Sequence, residues 1–187
     1  GIYAEISSIV SNCTVSGNRA FLGGGGVYGG TVSRSVVRGN HVDRGSGGLQ
    51  NVNADNCLIT ANSTGGTDIW DAGAVGSGIT PFWPGPFVAT NTLRNCTIVL
   101  NDGRNVLTDF DQDGRLDVRN CVIWGNPNSI NIKIKLNGNF QYSNYNGDLY
   151  GGTIGGTTND PQFIDSIAGN YQLRGTSPGL DAGDNSN

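Results

Sequence analysis

The sequence has no methionine, a single glutamate (Glu5), two lysines (Lys133 and Lys135) and one histidine (His41) in 187 residues. Charged side chains make up 14% of the chain, against about 25% in an ordinary globular domain. Good helix formers are therefore scarce, which excludes a helical bundle and an α/β fold with long helices. Net charge is −4 with no basic patch, so nothing marks a nucleic-acid binder. No apolar run approaches the ~18 residues that a membrane-spanning helix needs. A cleavable leader is not recognisable either, and the chain opens on Gly1, which leads us to expect a processed or excised piece.

What is present is glycine, 31 residues, together with frequent asparagine and recurrent valine, isoleucine and threonine. Glycine and asparagine favour turns, and β-branched residues favour strands. An apolar fraction of 36% argues against disorder. One all-β domain rich in turns is the expectation, and 187 residues suffice to bury a core.

The chain repeats. Asn12-Cys13-Thr14-Val15-Ser16-Gly17-Asn18 aligns with segments beginning at Asn56, Asn95 and Asn120, each carrying Cys in the second place. Arg34 to Asn40 fits with Ser35 in the cysteine slot, and Tyr142 to Asp148 fits with Ser143. The slots at 13, 35, 57, 96, 121 and 143 are spaced 22, 22, 39, 25 and 22 residues apart. Three residues before each slot stand Val10, Val32, Ala54, Leu93, Val118 and Phe140. Two residues after it stand Val15, Val37, Ile59, Ile98, Ile123 and Tyr145; five after it, Asn18, Asn40, Asn62, Asn101 and Asn126. Alternation from the slot onward has strand period. The odd offset before the slot calls for a bend, which asparagine at the preceding position can make in the left-handed region.

A period near 22 with short strands and glycine corners (Gly23 to Gly26, Gly47-Gly48, Gly65-Gly66) describes a parallel β-helix. The expected fold is all-β: a right-handed parallel β-helix of about six coils. Coils would occupy 1–158, with an insertion near 68–92, and 159–187 would form an irregular C-terminal capping segment.

The Asn-Cys-x-Ile-x-Gly-Asn repeats after Gly24-Gly25-Gly26-Val27-Tyr28 resemble those of pectate-lyase-like surface proteins and of polymorphic outer-membrane and adhesin-type passenger domains. The tail, with Asn159-Asp160-Pro161-Gln162-Phe163, Tyr171-Gln172-Leu173 and Ser177-Pro178-Gly179-Leu180-Asp181-Ala182-Gly183, is similar to the closing segment of bacterial "choice-of-anchor Q" β-helix proteins. The resemblance implies a secreted or cell-surface protein. It says little about activity, because fold does not set function.

Four features carry candidate chemistry. Asp109-Phe110-Asp111-Gln112-Asp113-Gly114-Arg115-Leu116-Asp117 matches the first part of a calcium loop, with Asp109, Asp111, Asp113, the Arg115 carbonyl and Asp117 as ligands. Asn120 stands where that loop carries glutamate, and an Asp-rich turn reads equally well. Any Ca²⁺ there would be structural. The insertion carries Trp70, Phe82, Trp83 and Phe87, which suit a sugar platform or a protein contact if exposed, or a cover for the rod if folded back. His41, Asp43 and Arg44 are acid–base groups in sequence, with a solvated corner as the plainer reading. The four cysteines share one column and are expected to be free thiols, because stacked parallel side chains have the wrong mutual direction for a disulfide.

Gly1-Ile2-Tyr3 matches Gly26-Val27-Tyr28, so the chain is expected to begin inside a coil, with Ile2 and Tyr3 at an end-to-end contact. The sequence therefore favours a non-enzymatic structural or adhesive domain, a subunit or segment of an extracellular filament, whose partner is a second copy of itself. The alternative is a domain that binds or degrades surface polysaccharide through the aromatic insertion. Neither reading involves nucleic acid or membrane insertion by this chain.

Overall fold

The computed structural model describes residues 1–68, 71–77, 90–109, 115–126, 131–133, 139–141, 144–145, 148–149, 153–154, 158–180 and 183. Every regular element among them is a strand, and all but the last two strands stack in parallel into a three-sided solenoid. One side runs Thr14–Ser16, Val36–Arg38, Leu58–Thr60, Thr97–Val99, Val122–Trp124 and Asn144–Tyr145. These six rungs make about five turns, close to the six coils expected. A second side begins at Ile9–Ser11 and Thr31–Ser33, and the third, ten-stranded, bends within the early coils between segments such as Arg19–Gly24 and Val27–Tyr28.

The registers reproduce the columns read from the sequence. Val10, Val32, Ala54, Leu93, Val118 and Phe140 are successive strand partners. So are Val15, Val37, Ile59, Ile98, Ile123 and Tyr145. The register is kept across the 39-residue interval, because a slip by one residue would turn the apolar set toward water. Val32, Val37, Ile59, Leu93, Ile98, Val118 and Ile123 are fully buried. Each such side chain contributes on the order of 1.5–3 kcal/mol relative to an exposed one.

Two left-handed positions recur in the first five coils, on either side of the rung that follows the slot. The first precedes the slot: Asn12, Arg34, Asn56, Asn95 and Asn120 have φ of 55°, 46°, 53°, 54° and 52°. The second precedes the ladder asparagine, where Gly17, Gly39, Ala61, Leu100 and Gly125 have φ between 53° and 66°. The ladder itself is a hydrogen-bonded chain. Asn40 N and Nδ2 donate to Asn62 Oδ1 at 3.0 and 2.9 Å, and Asn62 N and Nδ2 donate to Asn101 Oδ1 at 3.0 Å. The second Nδ2 hydrogen returns to a backbone carbonyl one coil back, Val37 O for Asn62 and Ile59 O for Asn101. Buried turns thus have their polar groups met from within the stack.

All four cysteines are free, as expected from their shared column. Cys57, Cys96 and Cys121 are buried, whereas Cys13 is exposed because it stands on the first rung. A hydrogen bond with the Cys96 thiol, then burial, pushes the Cys57 thiol far above its ordinary range; Cys121 and burial do the same for Cys96. These thiols stay protonated and inert.

The tail is a short antiparallel hairpin, Phe163–Asp165 with Asn170–Leu173. Phe163 and Tyr171 meet edge to face at 5.4 Å, and Arg174 donates to the Phe163 and Ile164 carbonyls at 3.1 and 3.0 Å. The hairpin lies along the flank of the Thr97–Val99 and Val122–Trp124 side.

Candidate functional site

Three surfaces hold chemistry. The first is the N-terminal face. Val27, Leu49, Val75 and Leu107 are fully buried, but Ile2, at the head of the same column, is 37% exposed. Tyr3 stacks on Tyr28 with ring centroids 5.4 Å apart and planes 6° apart. The strand Arg19–Gly24 pairs with His41–Ser46 and, among the described residues, with no strand on its other edge. Beside that edge lies a recess of about 740 Å³ lined by Ile2, Tyr3, Ile6, Ala20, Leu22 and Tyr28, among others. The asparagine ladder ends here as well. Asn18 N and Nδ2 donate to Asn40 Oδ1 at 3.0 and 2.9 Å, leaving Asn18 Oδ1 as the open acceptor.

The second surface is a cleft of about 540 Å³ between the flank and the C-terminal hairpin. Leu100 and Trp124 line it from the coils, and Asp160, Phe163, Ser166 and Tyr171 line it from the tail. Neither its aromatic set nor its position was foreseen, since the contact joins segments far apart in sequence.

The third lies on the outer face of the bent side. Arg19, His41 and Ser63 are successive strand partners. His41 Nδ1 is 2.9 Å from Ser63 Oγ, and His41 Nε2 is 3.3 Å from Asp43 Oδ1. Arg19 closes the row with an ion pair to Asp43 Oδ1 at 2.7 Å. His41 and Asp43 are 32% and 35% exposed. The structure therefore brings together His41 and Asp43, for which a solvated corner was the plainer reading, and adds Ser63 and Arg19. A signal for both was present, because 19, 41 and 63 are separated by the 22-residue period.

Of the remaining sequence-derived candidates, Trp70, Phe82, Trp83 and Phe87 lie outside the described residues, as do Asp111 and Asp113. Asp109 ends one strand and Arg115 begins another. Asp117 accepts a hydrogen bond from Arg119 Nε at 2.9 Å. Among the described residues no three His, Cys, Asp or Glu side chains group as a metal site, and no helix is long and apolar enough to cross a membrane.

Comparison with known proteins finds no matching family model, no matching curated protein and no matching solved structure. The coil stack itself defines the class: this chain is a parallel β-solenoid repeat protein.

Proposed function

We propose that the chain is a structural or adhesive segment of a secreted or cell-surface protein, and that it extends by stacking end to end on second copies of itself. The N-terminal face carries the reading. An open strand edge, an apolar column headed by a part-exposed Ile2, and an unfilled acceptor on Asn18 are what a further coil in parallel register would satisfy, whether that coil comes from a second copy or from chain upstream of Gly1. A contact between copies joins unlike surfaces, so it need not close and can propagate as a filament. The resemblance of the repeats and tail to bacterial surface proteins supports the location. Sedimentation velocity and electron microscopy of the purified chain are expected to show rods that lengthen with concentration. Ile2→Asp would bury an unpaired charge in the contact and is expected to raise the concentration needed by tenfold or more. A chain that stays a single copy at millimolar concentration rules the stacking out.

A second reading is supported by the flank cleft. Trp124 and Tyr171 offer aromatic surface, and Asp160 and Ser166 offer hydrogen bonds, a combination suited to a neutral oligosaccharide. Titration with soluble cello-, xylo- and chito-oligosaccharides is expected to change tryptophan fluorescence, with the response lost in Trp124→Ala. An unchanged spectrum across all three series removes this reading.

A further inference from the structure

The row Arg19, His41, Asp43 and Ser63 has a chemical consequence beyond a structural role. Strand period places residues 41 and 43 on one face, and parallel register sets Ser63 beside His41. The imidazole therefore stands between a hydroxyl at 2.9 Å from Nδ1 and a carboxylate at 3.3 Å from Nε2. A carboxylate oxygen favours the ring proton on the nitrogen it faces, so the imidazole holds its N–H at Nε2 and its lone pair at Nδ1. That lone pair points at the Ser63 hydroxyl. Arg19, bonded to the same Asp43 oxygen at 2.7 Å, fixes the carboxylate in place. Nucleophile, base and orienting acid thus occur in the order that activates a serine.

We propose that Ser63 is the nucleophile of an acyl-transfer site, with His41 as its general base and Asp43 as a positioning residue, and that its substrates are small carboxylic esters presented at the protein surface. Ser63 Oγ attacks the ester carbonyl carbon while its proton passes to His41 Nδ1. The bond from that carbon to the leaving alkoxy oxygen breaks, and His41 returns the proton to the departing alcohol. Ser63 is left as an acyl ester, which water cleaves by the same sequence to give the free acid. The site is open: His41 and Asp43 are about one-third exposed. Gly65 adds no side chain where a Cβ would lie 3.6 Å from His41 Nε2. Among the described residues nothing walls the site, which suits small or protruding acyl groups.

A reporter-bearing fluorophosphonate tests this on the intact chain, with the labelled peptide located by mass spectrometry. One phosphonyl group is expected on Ser63, none on the Ser63→Ala protein, and a rate lower by about a hundredfold or more in His41→Gln, the scale of a positioned general base. Asp43→Asn is expected to slow labelling, and Asp43→Glu, which restores a carboxylate near the imidazole, to recover much of the lost rate. A purely structural Asp43 would show no such preference of glutamate over the isosteric asparagine. Circular dichroism and melting temperature check that each variant keeps its fold. Ser63 remaining unlabelled in the folded protein, or labelling at the same rate in His41→Gln, overturns the proposal.

Discussion

Asn62→Ala is expected to remove about 3–5 kcal/mol of folding stability, a large share of the roughly 5–15 kcal/mol that holds a domain together. Asn62 is fully buried in the middle of the ladder. Its Oδ1 accepts from Asn40 N and Asn40 Nδ2, and its Nδ2 donates to Val37 O and Asn101 Oδ1. Alanine leaves the Asn40 N–H, one Asn40 amide hydrogen and the Val37 carbonyl without these partners, and each such group costs about 1–3 kcal/mol when water cannot reach it. Some relaxation keeps the total below the plain sum. Asn18→Ala makes the comparison. Asn18 heads the same ladder, yet it is half-buried and its Oδ1 receives nothing, so its loss should cost about 1 kcal/mol. Urea unfolding of both variants measures the contrast. Equal midpoints for the two would mean that the ladder is not the source of stability.

Gly45→Ala should cost about 2–5 kcal/mol, whereas Gly17→Ala should cost only about 1–2 kcal/mol. Both glycines have positive φ, +115° for Gly45 and +66° for Gly17. They differ in what surrounds them. A Cβ at Gly45 would lie 2.5 Å from the Gly23 carbonyl oxygen, on the neighbouring coil. The Gly45 N–H is also held by buried Asp71 Oδ1 at 2.7 Å, so the strand cannot retreat without giving up that bond. At Gly17 nothing lies within 4 Å of the added carbon, and only the backbone preference is paid. Thermal unfolding separates clash from strain. If the two variants melt together, coil-to-coil approach at the Gly23–Gly45 corner is not what demands glycine.

The repeat was legible because a solenoid stacks equivalent residues directly on one another. A column such as Val37, Ile59, Ile98 therefore appears in sequence as a fixed spacing from Cys or Ser. The left-handed asparagines were legible for the same reason, each sitting one place before its slot. Cys13 shows where the column argument reaches its edge. Its spacing equals that of Cys57, but burial needs a rung on both sides, and Cys13 has a rung on one.

The candidate surfaces divide along the same line. Arg19, His41 and Ser63 are one period apart, so their alignment was in the sequence; the 2.9 Å approach of Ser63 Oγ to His41 Nδ1 depends on rotamers that no spacing encodes. The flank cleft was not readable at all. Phe163 and Tyr171 belong to a hairpin outside the period, and their neighbours Leu100 and Trp124 are fixed by how that hairpin packs across the coils. By itself, then, the sequence determined the all-β class, the coil period, the inward columns and the turn residues, because these follow from local conformation and a repeated translation. Tertiary structure alone decided how closely the outer-face side chains approach and where the tail comes to rest, because the first depends on rotamers and the second on contacts between segments that no periodicity relates.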